Sequence, residues 1–358
     1  LAYQIKFISV SYIILLGVGL FAHVEIIPAV LSTAGRDSWI SMLMAFIPLV
    51  IMVPLIYKVG SILHNKSFIQ LFHKDLGGIK FYLLFSPLIL YLLLSAFISA
   101  KEIIYWSQLS FMQNFSSFII ALVLLLACFF CTRAGIETMV IISSVLLPIV
   151  VFLGFFVSFA NMKKKNYELL FPIFKEDFSN ILQGVIYTAL PILEMALVLF
   201  FLPFLKKKIT KKQLFFLGFI LIGLMCGPTI GAIVEFGPDH AADFRYPAFE
   251  EWRIISIGRY ISHTDFFAIF QWLSGGIIRI SLFVYISAQL ITKGKEKKLP
   301  IDIVFFIFLI ACVFPLDQDY FYNFVYYFFL PISFFAISGQ FFIVGIYVIK
   351  NRHKWTGG

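Results

Sequence analysis

Six ionisable side chains stand inside apolar runs of this sequence: His23 and Glu25, Lys101 and Glu102, Glu194, and Arg279. Each costs about 2.5–3.5 kcal/mol or more at the centre of a bilayer, so each requires a partner, a wet cavity or a ligand. Both signs of charge are present, which allows pairing among them or the binding of a small polar molecule or an ion. Glu194 follows Pro191 by three residues and precedes the basic cluster at Lys206 by 12. At 1.5 Å per residue this is roughly 18 Å from the nearer surface, too deep for the side chain to snorkel out. Arg279 lies 14 residues from Lys293 and is similarly deep; its permanent charge requires a carboxylate or an anionic ligand. Four of these positions have simpler readings. Lys101 and Glu102 can snorkel from the end of a long span, His23 can be a hydrogen-bonded core histidine, and Glu25 can face water one turn before its span ends.

The elements that carry these residues are membrane helices. Of the 358 residues 61% are apolar and 13% charged, with 45 phenylalanines and a mean hydropathy of +0.96. A soluble domain carries about 25% charge, so most of this surface meets lipid. Ten apolar runs are long enough to be read as spans, near 6–31, 38–59, 79–107, 115–132, 138–160, 181–205, 213–236, 264–291, 301–315 and 322–349. The ninth is short, and the tenth contains Pro331 and is expected to kink. The first run has no small-residue cleavage site and is read as a span. With the N-terminus inside, 18 of the 28 Lys and Arg fall in inside segments and eight outside, which places both termini in the cytoplasm. The net charge of +9 is therefore topogenic, with no nucleic-acid role. The outer connections 161–180 and 237–263 are long; the second is amphipathic enough to be a lid or a partner surface.

Spans one to five (1–160) and six to ten (181–349) form two halves of a single transmembrane domain. An odd number of spans per half gives opposite orientations, a 5+5 inverted repeat. The leading spans of the halves carry helix-weakening residues at matching places, Gly17-Val18-Gly19 in span one and Ala189-Leu190-Pro191 in span six. Broken helices at such positions point to a midplane ligand site that includes Gly17, Val18, Gly19, Ala189 and Leu190; close packing of small residues is the alternative. No GxSxG, Walker loop or HExxH is present, so an enzyme is not expected. Cys128-Phe-Phe-Cys131 lacks a second pair, and neither a metal nor a cofactor is expected.

The order of residues also resembles a known family. Pro28 followed by Ala34-Gly35-Arg36-Asp37-Ser38-Trp39 is one segment. Glu194 followed by Leu202-Pro203-Phe204-Leu205-Lys206-Lys207 is a second. Tyr246-Pro247 with Ile254-Ile255-Ser256-Ile257-Gly258, then Trp272 and Ile280-Ser281-Leu282-Phe283-Val284-Tyr285, is a third. As a set they resemble the endospore germination permeases, the B subunits of spore germinant receptors, in the amino acid–polyamine–organocation superfamily. Three departures stand out. Gly17–Gly19 lies about one turn further from Pro28 than in many relatives, with Ala22-His23 nearer the usual break; Lys101-Glu102 stands where Arg-Glu is frequent; and His263 replaces a frequent Arg. The resemblance implies a leucine-transporter-like fold in the inner spore membrane. It further implies binding of a small germinant, often an amino acid, and action with an A subunit and a lipoprotein C subunit. A sensor of this kind, an amino-acid or cation symporter, and a water or ion channel are the functions to be separated.

Overall fold

The computed structural model describes residues 4–256, 264–295 and 297–356. All extended elements among them are helical; the one β-bridge joins Ile5 to Leu205. Eight helical runs are long and apolar enough to cross a membrane, and Leu299–Val313 is a shorter apolar helix. The longest run, Phe7–Ile62, has 56 residues. Straight, it would extend about 84 Å, more than twice the hydrocarbon thickness. It turns back at Gly35, whose φ of +45° is open to glycine at little cost, and so supplies two crossings. Counting both and the short helix gives ten, as the composition led us to expect.

The first span is α1 (Phe7–Phe21), a π-helical turn (Ala22–Ile26) and α2 (Ile27–Ala34). The second is α3 (Ser38–Met44) with α4 (Phe46–Ile62). A short amphipathic helix, α5 (Phe68–Leu76), follows; it was read from sequence as part of a polar loop. Ser67 caps it by accepting from the Gln70 backbone N–H, and Phe68, Ile69 and Phe72 are buried. Spans three to five are α6 (Gly78–Ser110), α7 (Ser117–Ala134) and α8 (Ile136–Ala160). The sixth is α9 (Phe178–Glu194) continuing as a 3₁₀ segment (Met195–Phe204), and the seventh is α10 (Lys211–Phe236). Two short helices, α11 (Pro238–Asp243) and α12 (Pro247–Arg253), lead to α13 (Phe266–Ile291), the eighth span. The ninth is α14 (Leu299–Val313). The tenth is α15 (Gln318–Asn323), a π-helical segment (Phe324–Phe329) and α16 (Leu330–Lys350), before the terminal α17 (Arg352–Thr356).

The leading spans of both halves are interrupted by a change of helical pitch, with no unwound segment. The changes fall at Ala22–Ile26 and after Glu194; Gly17–Gly19 and Ala189–Pro191 lie in regular α-helix. Proline explains where the π-helical turns fall. Pro28 has no N–H for the carbonyl four residues earlier, so the Val24 oxygen is left to another donor just where the π turn sits. Pro331, at the start of α16, does the same to Tyr327 within the third irregular segment, whereas Pro191 lies within regular α-helix and does not mark the change of pitch after Glu194. The expected kink of the tenth span is thus taken up as π-helix.

Glycine serves a different purpose. A Cβ at Gly17 would stand 3.4 Å from the Arg279 Cα, and one at Gly275 would be 2.8 Å from the Leu20 Cβ and 3.1 Å from the Leu16 carbonyl oxygen. These residues let α1 and α13 cross in near backbone contact, the small-residue packing of membrane helices. The crossing brings Arg279 to the first span.

Candidate functional site: a buried charge network between spans one, three, six and eight

Arg279 is 0% exposed and Glu194 2%. The guanidinium donates in a fork to both carboxylate oxygens, Nη1 to Oε2 at 2.8 Å and Nη2 to Oε1 at 2.7 Å. Its other three N–H groups are also used: Nη2 donates to Ser95 Oγ at 2.6 Å, Nε to Ser99 Oγ at 3.2 Å, and Nη1 to the Gly17 carbonyl at 3.4 Å. The rings of Phe21 and Phe283 each lie 4.2 Å from the guanidinium carbon, adding cation–π attraction in a dry setting. Tyr91 donates to Glu194 Oε1 at 2.5 Å. Glu194 is the last α-helical residue of its span, so the carboxylate sits at the change of pitch.

From this pair the network runs toward the face opposite the termini. The Ser99 hydroxyl, which accepts from Arg279, donates to Glu25 Oε1 at 3.1 Å. Glu25 is 0% exposed and lies in the π turn. Its second oxygen, Oε2, is buried without a hydrogen-bond partner. One turn beyond Ser99 on α6, Glu102 is held by Arg245, which reaches in from the segment between α11 and α12, and by Tyr246, whose hydroxyl donates to Oε2 at 3.1 Å. Arg245 also donates to the Tyr326 hydroxyl and, at 3.4 Å, to the carbonyl of Val24 freed by Pro28. The Tyr322 ring lies 3.9 Å from its guanidinium carbon, and the Tyr246 and Tyr322 hydroxyls are 3.1 Å apart. Arg245 and three tyrosines thus close the opposite face over Glu25.

On the termini face a cleft of about 260 Å³ lies between α5, the 3₁₀ segment and α13, lined by Gln70, Phe200, Phe201, Tyr285 and Gln289 among others. Phe283 and Glu194 precede it on the elements that form its walls. The charged centre therefore lies between a cleft on one side and a tyrosine–arginine closure on the other.

Comparison with known proteins gives the family and the fold. A family model described as spore germination protein, the spore permease family, matches residues 2–321. Spore germination protein XB of Bacillus anthracis is 34% identical over 355 residues, which is 98% of this chain and 100% of that protein. The chain belongs to the spore permease family. Among solved structures, that of MhsT in complex with L-phenylalanine aligns with a TM-score of 0.64 over 94% of this chain and 89% of that one, at 12% identity. The permease accordingly has the leucine-transporter-like fold and is a membrane protein of a transporter architecture.

Within this permease the residues singled out from sequence separate into groups. Glu194, Arg279 and Glu25 meet in one network, and Glu102 joins it through the neighbouring turn of α6. Gly17 contributes a carbonyl oxygen; Val18, Ala189 and Leu190 are buried in regular helix, and the Gly19 carbonyl accepts from the His23 ring, whose Nδ1 lies 2.6 Å away. Lys101 departs from the expectation of a ligand contact. Its ammonium donates to the carbonyls of Cys312 at 2.7 Å and Phe314 at 2.8 Å, over the Tyr105 ring. It caps the C-terminal end of α14, where a cation also meets the favourable end of the helix dipole. His263 and Arg259 lie outside the described residues.

Lys101→Met is accordingly expected to lower stability by about 1–3 kcal/mol through the two orphaned carbonyls, with ligand affinity unchanged within about twofold, 0.4 kcal/mol. Thermal unfolding in detergent alongside ligand titration checks both halves of that expectation. The residues missed from sequence are Tyr91, Ser95, Ser99, Arg245, Tyr322 and Tyr326. A signal for three of them was present: Tyr91, Ser95, Ser99 and Glu102 are spaced four, four and three residues apart, one polar stripe on an otherwise apolar helix.

Proposed function

We propose that this permease is the transporter-like subunit of a spore germinant receptor, binding a small germinant of the amino-acid class at mid-depth and passing the change to A- and C-type partner subunits. The inner spore membrane, with both termini cytoplasmic, is the setting that the distribution of Lys and Arg supports. The observation that carries the reading is Glu25 Oε2: a buried acceptor without a partner, flanked by Arg279 through Ser99 and by Arg245 at the adjoining Val24 carbonyl. An α-amino acid is complementary to that arrangement. Its ammonium satisfies the orphan carboxylate oxygen, and its carboxylate is drawn to Arg245, whose buried Nε also lacks a partner. The MhsT structure, which holds L-phenylalanine in the same fold, supports an amino acid as the ligand.

Binding would favour one arrangement of the halves 1–160 and 181–349 by as much as the ligand prefers it. The same closed arginine–glutamate centre argues for a sensor over an open water or ion channel, since all five guanidinium N–H groups are engaged in it. The deciding experiment compares spores carrying the wild-type chain with purified permease in liposomes. A germination response to an amino acid, without concentrative uptake by the permease alone, is the expected pair of results. Robust accumulation of labelled amino acid in liposomes without partner subunits would instead make it a symporter.

A further inference from the structure

A second polar cluster lies away from the centre, where α12 docks on the outer end of α10. The Glu251 side chain points at α10 so closely that a Cβ on Gly231 would stand 2.9 Å from its Oε1 and 3.0 Å from its Oε2. Gly231 is one helical turn before Glu235, so the Glu251 carboxylate lies against the same face of α10 that carries Glu235. Asn161, at the end of α8, ties them together: its Nδ2 donates to Glu235 Oε2 at 3.1 Å and to the Glu251 carbonyl at 2.7 Å. Asn161 is 0% exposed, Glu251 5%, and the Glu235 side chain 0%.

The oxygens of this cluster are not satisfied. Lys165 Nζ stands 3.6 Å from Glu235 Oε1, longer than a hydrogen bond, and Lys164 is spent on the Ile254 carbonyl. Lys164 and Lys165 both act on Glu235 through their charge, yet neither ammonium makes a hydrogen bond to either carboxylate. Three oxygens in the cluster are buried without a hydrogen-bond partner: Asn161 Oδ1, Glu235 Oε1 and Glu251 Oε1. Burial, and then the neighbouring Glu235, push the Glu251 carboxyl well above its usual range, so its ionised form is disfavoured unless a proton or a cation joins it. One bound proton would satisfy the oxygen that carries it and at most one acceptor. A metal ion draws all three oxygens at once, and carboxylate and amide oxygens are the ligands of hard cations.

We propose that Glu235, Glu251 and Asn161 form a binding site for one hard, oxygen-seeking metal cation that fastens α12 to α10. No group of three or more His, Cys, Asp or Glu among the described residues makes a metal site; this one rests on two carboxylates and an amide. Because α12 follows Arg245 and Tyr246 directly, the cation would anchor the segment that closes the centre. It does not depend on what the centre binds.

The test is thermal unfolding of the purified permease in detergent, in choline chloride, with sodium chloride or calcium chloride substituted at constant ionic strength. One of the two metal ions is expected to raise Tm by about 3 °C or more, and Glu251→Gln to abolish that rise while folding normally. Should Glu251→Gln not fold, Glu235→Gln serves in its place. A wild-type Tm indifferent to both metals, or a full metal response in the variant, overturns the proposal. So does a metal-indifferent wild-type Tm that rises on acidification while that of Glu251→Gln does not, which would assign a proton to the cluster.

Discussion

Arg279→Met is expected to lower the stability of the permease by about 3–5 kcal/mol, because it strands the Glu194 carboxylate in a dry centre with a single tyrosine hydroxyl for company. Glu194 is 2% exposed and its two oxygens otherwise meet only Arg279 and Tyr91. For a chain of this size that cost appears as a fall in Tm on the order of 10 °C. The sharper prediction concerns the double variant. Replacing a buried ion pair by apolar residues of similar volume is often neutral or stabilising, so Glu194→Leu with Arg279→Met is expected to return to within about 2 kcal/mol of the wild type. It is nonetheless expected to abolish the germinant response. The pair is then needed for function, and the single variant fails for an electrostatic reason. Thermal unfolding of the three proteins, with germination assays on the same alleles, measures both effects. A double variant that still responds would reduce the pair to a structural element.

Arg245→Ala is expected to open the face opposite the termini. Truncating one partner of a buried charge pair costs about 2–5 kcal/mol, chiefly from the charge left behind; here Glu102 is that charge and keeps only Tyr246. Arg245 is also the residue on which Tyr322, Tyr326 and the Val24 carbonyl converge, so its loss leaves the tyrosines without a common anchor. The reporter is a cysteine at Ser99, on the route from Arg245 to Arg279. The four native cysteines are all buried, which keeps background labelling low. With Ser99→Cys in both backgrounds, Arg245→Ala should raise the rate of reaction with a membrane-impermeant thiol reagent at least about tenfold, corresponding to 1.4 kcal/mol in the opening equilibrium. Equal rates would mean that the closure does not depend on Arg245.

Much of this fold could be read from hydropathy because lipid imposes one rule: every backbone polar group is satisfied within its own helix. Spans of about 20 apolar residues follow, and the short ninth helix was recognisable by the same count. The depth of Glu194 and Arg279 followed from the rise per residue and the positions of the flanking lysines, and their opposite charges made a pairing natural. Other features were legible in kind and misplaced in position. Gly17–Gly19 drew attention as a helix-weakening motif, yet its first glycine is there for the close crossing with α13. The two π-helical interruptions are set by prolines, and each spans the residue four positions before Pro28 or Pro331, where a carbonyl loses its donor.

Lys101 was misjudged for a geometric reason. It adjoins Glu102 in sequence, and consecutive residues on a helix point about 100° apart, so one enters the network and the other turns to the end of α14. Arg245 carried no local signal, because its partner Glu102 is 143 residues away and the pairing exists only once the α11–α12 segment folds back into the bundle. Amphipathicity separated that segment from a plain linker. Trp252, bonded to Gln271 at 2.9 Å, and Phe249, packed on Trp106, show how firmly its described part is docked.

Direct binding to the purified permease tests the central claim, that a buried and unpartnered Glu25 oxygen between two arginines takes the ammonium group of an amino acid. Titration of wild type and Glu25→Gln against the twenty amino acids and their amino-blocked derivatives is the measurement. We expect saturable binding of at least one free amino acid to the wild type, none of its blocked form, and at least about a hundredfold weaker binding to Glu25→Gln, or 2.7 kcal/mol, with its Tm undiminished. Equal affinity of wild type and Glu25→Gln for the same amino acid would contradict it.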